Sequence, residues 1–231
     1  MKFTICTILM IVFSVTFALT SYGDLLVLFD EDAKSEAGGG NIVALFNQHS
    51  DNSMVSLDTI NPYNGKNCLF CTPTQSYNEK MTGWNFPIKE NPKAGEYRYI
   101  RFAWKSDGGT GVMIQFPDNG AWGAVTTPCV EPPAPGTRRY IAGVNVTGWT
   151  GICLTKDIPK QWTLVERDFF NDFGDFTLTG MALTPFTDGG NGDYYDSIML
   201  AAKESEFPRV NPVESEGKLA TLWSEVKSEF R

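Results

Sequence analysis

Across residues 95–116 (GEYRYIRFAWKSDGGTGVMIQF) apolar and polar positions alternate on either side of a glycine-rich turn. Ile100, Phe102 and Trp104 fall on one face of an extended segment and Tyr99, Arg101 and Ala103 on the other, the period-2 signature of a half-buried strand. Asp107-Gly108-Gly109 then reverses the chain, and Val112, Ile114 and Phe116 resume the apolar face. The unit predicts a β-hairpin with Trp104 in the core.

Comparable runs follow one another at 25–29, 42–46, 54–57, 68–72, 97–105, 111–116, 138–144, 162–167, 177–184 and 194–201. They are joined by segments rich in Gly, Pro, Asn and Asp, such as 38–40, 61–65 and 188–192. Short strands without helical periodicity between them predict an all-β fold, an antiparallel sandwich or jelly roll. Residues 126–136 hold four prolines and Cys129 without periodicity and read as a long loop, pinned by a disulfide or used in binding. The DFFNDFG segment at 168–174 reads as a single helical turn.

After Phe207 the pattern changes. Pro208 and Pro212 interrupt the strand periodicity, and Leu219, Leu222, Trp223, Val226 and Phe230 recur at helical spacing among Lys, Glu and Ser. This predicts a short C-terminal amphipathic helix, with Asn211 or Ser215 as N-cap, whose apolar stripe covers the sandwich or docks a partner. At the other end, Lys2 precedes an uncharged apolar run over 3–19 and the small or polar residues 20–23, the layout of a secretory signal peptide. The expected organisation is a signal peptide at 1–23, a sandwich domain at 24–207 and a linker with helix at 208–231, in a secreted, extracytoplasmic protein without membrane insertion after cleavage.

Cleavage removes Lys2 and no acid, leaving 18 basic and 27 acidic residues where the whole chain has 19 and 27. Nucleic acid and anionic membranes bind through clustered Lys and Arg, so both are disfavoured as partners. Cys6 leaves as well, so the mature chain keeps Cys68, Cys71, Cys129 and Cys153. Cys68 and Cys71 form a C-x-x-C, but a structural zinc site draws on a second close pair, and Cys129 and Cys153 are far apart in sequence. In an exported chain the expectation is two disulfides, with three connectivities open.

Candidate chemistry is sparse. His49, the chain's single histidine, lies in a polar loop with no nucleophile elbow before it, so it reads as a bystander. Glu166 and Asp168 share a strand face, the spacing of neighbouring carboxylates in a sandwich glycosidase, or of a solvated strand edge beside Arg167. The loop at 187–196 gathers Asp188, Asn191, Asp193 and Asp196, hard oxygen ligands suited to a structural calcium, or else a turn. Trp122 and Trp149 stand between glycines in loop-like segments, where a flat ring can stack on a sugar or anchor an interface, with Arg139, Tyr140 and Asn145 as neighbouring hydrogen-bonding groups.

The stretches GWNFPI at 83–88, the 95–116 segment, RRYIAGVNVTGW at 138–149, WTLVERDFF at 162–170, DFTLTGMALTPF at 175–186 and YYDSIML at 194–200 together resemble galactose-binding-like jelly-roll modules of secreted bacterial proteins. The closing YYDSIML also resembles the last strand of carbohydrate-binding modules. That resemblance implies a calcium held by Asp196 with an acid from the first strand, Asp30 or Glu31. The chain departs from the pattern in its proline-rich 126–136 insertion, its four cysteines and the lack of an attached catalytic domain. The resulting expectation is a non-catalytic module that binds glycan. The alternatives are a structural or interaction module for an envelope protein, and a jelly-roll enzyme acting on polysaccharide.

Overall fold

The structure, a computed structural model, describes residues 25–30, 41–49, 53–124, 135–143, 149–186 and 190–209. In chain order its elements are β1 (Leu26–Phe29), α1 (Ile42–Phe46), β2 (Val55–Asp58), β3 (Cys68–Cys71), β4 (Ser76–Asn78), β5 (Phe86–Ile88), β6 (Tyr99–Asp107), β7 (Gly111–Gln115), β8 (Arg139–Gly143), β9 (Ile152–Thr155), β10 (Thr163–Asp168), α2 (Phe169–Phe173), β11 (Phe176–Leu178), β12 (Met181–Phe186) and β13 (Gly192–Ala201). A six-stranded sheet runs β10-β6-β13-β3-β2, with β1 also paired to β13, and a five-stranded sheet runs β4-β12-β7-β8-β9. Every pairing is antiparallel except β8 with β9, which is parallel.

The two sheets face each other across one core. Ile100, Phe102 and Trp104 of β6 and Leu69, Tyr195 and Leu200 meet Val112, Ile114, Tyr140, Ala142 and Leu183 from the other sheet. This is the β-sandwich that the alternation predicts, with Trp104 only 1% exposed. The expected hairpin is not there: β6 and β7 lie in different sheets, and Gly108 and Gly109, both at positive φ, carry the chain from one to the other. Alternation fixes which face points inward, and in a sandwich both inward faces meet the same core, so the pattern cannot choose the pairing partner.

Three further expectations change. The 42–46 run is a helix, because the Asn41 side chain accepts from the Val43 and Ala44 N–H groups and so caps it. Ile42, Leu45 and Phe46 then bury one helical face. The 177–184 run splits into β11 and β12 around Gly180, where a Cβ would collide with the Asn78 carbonyl. The three short strands β4, β5 and β9 have no counterpart in the expected list. The helical turn at 168–174 is α2, with Asp168 accepting from the Asn171 N–H and Gly174 closing the C-terminus at φ 73.

The cysteine expectation is corrected for one pair. Cys68 and Cys71 are buried thiols at opposite ends of β3. Residues three apart on a strand point to opposite faces. Cys68 packs in an outer cluster with Tyr63, Ala103, Trp162, Leu164 and Tyr194, whereas Cys71 is in the main core and its Sγ donates to the Leu183 carbonyl at 3.6 Å. Cys153 on β9 is disulfide-bonded. Cys129, the signal peptide at 1–23 and the C-terminal helix lie outside the described residues.

Candidate functional site

The outward face of the five-stranded sheet carries polar and aromatic groups where its inward face carries the core. Register places Tyr77 of β4, Ala182 of β12, Gln115 of β7 and Arg139 of β8 side by side in one row. The next row is Thr184, Met113, Ile141 and Cys153. A hydrogen-bonded ladder crosses these rows: Gln75 Nε2 donates to Thr184 Oγ1 at 2.8 Å, Gln115 Nε2 donates to the same oxygen at 3.2 Å, and Arg139 Nε donates to Gln115 Oε1.

Arg139 is 1% exposed. Its Nη1 donates to the carbonyls of Ala124 at 2.8 Å and Thr150 at 3.2 Å, its Nη2 to that of Trp122 at 3.1 Å, and its guanidinium stands 5.5 Å from the Trp149 ring centroid. Burial, and then the charge of Arg138, lower its pKa to about 10, so it stays cationic at neutral pH. Arg138, on the other side of the strand, grips the same loop through the carbonyls of Phe116 at 3.2 Å and Ala121 at 2.9 Å. Adjacent arginines thus fix both ends of the segment that presents Trp122.

Half-buried rings complete the face. Trp122 meets Tyr77 edge-on with centroids 6.3 Å apart, and Tyr77 stacks on His49 at 5.1 Å. His49 Nε2 lies 3.8 Å from Glu79 Oε2. The arrangement offers flat apolar surface beside the half-buried Gln75 amide and His49 imidazole, above a buried layer of Gln115, Thr184 and Arg139, a set able to stack on a sugar ring and to hydrogen-bond at its edge.

Of the residues singled out from sequence, Trp122, Trp149 and Arg139 converge here. Tyr140 does not: the residue after Arg139 points into the core, fully buried, with its hydroxyl donating to Asp172 Oδ2 at 2.7 Å. Asn145 lies outside the described residues. Sequence reading missed Tyr77, Gln75, Gln115, Thr184 and the place of His49. A signal for Gln115 was available, since it is the polar outward position between Ile114 and Phe116.

The calcium candidates separate. Asp196, fully buried, accepts from the N–H groups of Tyr63 at 2.8 Å, Asn64 at 3.2 Å and Ser197 at 2.7 Å. Ser197 Oγ donates to Asp30 Oδ1 at 3.3 Å, so Asp30 and Asp196 converge on one serine. Burial first, with the Asp30 charge contributing, pushes the Asp196 carboxyl up to about 7, and a cation there would relieve that repulsion. Asp193 is elsewhere: it pairs with Cys71 and Ser106 on the core side, whereas Asp196 pairs with Ala103 on the outer side. Among the described residues no three His, Cys, Asp or Glu side chains gather as a metal cluster, and Asp188 lies outside them. Glu166 and Asp168 share a face of β10, each in an ion pair, with Arg101 and Arg98.

No family model matches this chain, and no curated protein matches it. Its fold is similar to a family 30 carbohydrate-binding module, at 14% identity and TM-score 0.41 over 78% of this chain and 99% of that one. It is also similar to the family 30 carbohydrate-binding module of a cellulosomal cellulase from Clostridium thermocellum, at 17% identity and TM-score 0.40 over 78% and 98%. A third similar structure is the glycoside hydrolase domain of Endo-D from Streptococcus pneumoniae, at 12% identity and TM-score 0.41. The alignment covers 67% of this chain and 21% of that one.

Proposed function

We propose that this protein is a secreted, non-catalytic β-sandwich module whose five-stranded sheet binds carbohydrate on its outward face. The observation that carries the reading is the convergence of half-buried Trp122, Trp149 and Tyr77 on a floor of hydrogen-bonded Gln75, Thr184, Gln115 and Arg139. Core rings have no reason to stand half-exposed beside a ladder of amides, whereas a sugar needs both an apolar platform and polar edges. Export rests on the signal-like pattern of residues 1–23. The non-catalytic reading rests on Glu166 and Asp168, the carboxylates singled out for a glycosidase-like arrangement, each being held in an ion pair with an arginine.

A glycan array on the purified protein tests the reading. Once a glycan is found, Trp122→Ala, Trp149→Ala and Tyr77→Ala are each expected to weaken binding by ~5- to 30-fold, about 1–2 kcal/mol, while the melting temperature stays within a few degrees. Loss of the fold in both tryptophan variants would assign the rings to packing, and an empty array would remove the glycan. Calcium belongs to the same proposal as a structural ion at Asp30 and Asp196. Millimolar calcium should then raise the melting temperature relative to chelator, by mass action on the folded state.

A second reading, an interaction module for an envelope protein, has one observation in its favour. Met54 at 63%, Leu57 at 38% and Ile60 at 83% exposure cluster in sequence on and beside β2, an edge strand of the six-stranded sheet. Edge strands with exposed apolar side chains are where extended partners add to a sheet.

A further inference from the structure

Arg139 makes an unusual set of contacts for a buried cation. Arg98, Arg101 and Arg167 are paired with Asp168, Glu166 and Asp172 respectively. Arg139 has no carboxylate among its partners in the described residues; its guanidinium is held by the carbonyls of Trp122, Ala124 and Thr150, by Gln115 Oε1 and by the face of Trp149. A planar fork of five donors can satisfy acceptors in several directions at once, which a single ammonium cannot do in the same geometry. The carbonyl acceptors belong to two separate segments, 122–124 and 149–150, and each carries one of the half-buried tryptophans.

We propose that Arg139 is the positioning residue of this face: buried beneath the two tryptophan-bearing loops, it sets where the Trp122 and Trp149 rings stand without reaching the ligand itself. The inference rests on the reading of the face as a binding site for its consequence, but not for its structural content. Gly151 supports it independently. A Cβ at that position would stand 2.8 Å from Arg139 Cβ and 2.9 Å from its carbonyl oxygen, so the turn carrying Trp149 is seated directly on the Arg139 backbone and stem. Arg138 gives the loop a second hold through Phe116 and Ala121, so losing Arg139 should shift the Trp122 end without releasing the whole loop.

The test is 19F NMR of the full-length protein labelled with 5-fluorotryptophan, with the six tryptophan resonances assigned by single Trp→Phe variants. Arg139→Lys keeps the charge and loses the fork. It is expected to move the resonances of Trp122 and Trp149 and to leave those of Trp84, Trp104 and Trp162 in place. Gly151→Ala, which keeps the Arg139 fork but presses the 149–151 turn off its stem, is expected to move Trp149 more than Trp122. The oligosaccharides positive for the wild-type protein on the array are then titrated calorimetrically, and Arg139→Lys should bind them at least 10-fold more weakly. Unmoved Trp122 and Trp149 resonances, or equal movement of all five described tryptophans, overturn the proposal. So does retained affinity in a variant whose two rings have moved. If no oligosaccharide binds the wild type, the glycan reading fails while the resonance pattern still decides whether Arg139 positions the rings.

Discussion

Asp193 is a buried acid facing the core at one end of the sandwich, paired in register with Cys71 on β3 and Ser106 on β6 and only 1% exposed. Its Oδ2 has no hydrogen-bond partner. Burial pushes the carboxyl up to about 8, the charge of Asp107 adds to the rise, and the hydrogen bond with Ser106 opposes it. The ordinary value, 3.8, applies to the unfolded chain, so between pH ~4 and ~8 the folded state binds more protons than the unfolded one. The stability this group contributes is therefore fully present below pH ~4 and is lost as the pH rises through about 8. Asp193→Asn mimics the protonated acid. Its melting temperature should match the wild type near pH 4 and exceed it by a widening margin up to pH ~8.5. Asp196, also raised, is common to both proteins and drops out of the difference. A margin that stays constant across thermal melts from pH 4 to 8.5 would show that Asp193 does not titrate in the folded state.

On the scale of the element, strand periodicity explains both what the sequence reveals and what it hides. Where a strand is long and regular, as in β6, alternation identifies its inward face correctly, and the aromatic core around Trp104 follows. Where it is short, as in the three-residue β4, there is too little pattern to register, and with it goes Tyr77, a central ring of the candidate site. Trp122 and Trp149 were legible from their glycine-flanked settings. Tyr140 was misplaced because a residue's chemistry, read without strand phase, says nothing of its side. Phase also decides the cysteines: β3 sends Cys68 outward and Cys71 into the core, where burial pushes the thiol well above its usual range, and the two cannot bridge each other. With Cys153 bonded and these two reduced, Cys6 and Cys129 are the remaining cysteines, and the proposed removal of residues 1–23 would leave Cys129. Mass spectrometry of residues 24–231 made in an oxidising compartment, alkylated after unfolding without reductant, should therefore find two modified cysteines, Cys68 and Cys71, and one Cys129–Cys153 bridge. Four alkylated cysteines would refute this, as would a bridge at Cys68 or Cys71.

For the molecule as a whole, the question is where the sandwich ends. Phe207, 5% exposed, closes a cluster with Met199, Ala201, Leu25, Val27 and Tyr99 on the outward face of the six-stranded sheet. Arg101, held by Glu166, places its guanidinium 4.7 Å from the Phe207 ring centroid and donates to the Pro208 carbonyl at 2.6 Å. The first and last described segments thus meet on one patch, on the sheet opposite the tryptophan face. A fragment of residues 24–209 keeps every one of these contacts and should melt within a few degrees of residues 24–231. A fragment of residues 24–206 loses the ring that covers Met199 and Ala201 and leaves Arg101 without its strap. Removing a buried phenylalanine costs about 3–5 kcal/mol, which for a domain of this size is a fall of roughly 6–20 °C. Comparing the two fragments by calorimetry separates the anchor at Phe207 from everything beyond it. If 24–209 melts like residues 24–231, the apolar stripe of Leu219, Leu222, Trp223, Val226 and Phe230 adds nothing to the core and is left for a partner. If 24–209 is as unstable as 24–206, that stripe is part of the fold, and the sandwich needs residues beyond Arg209 to be complete.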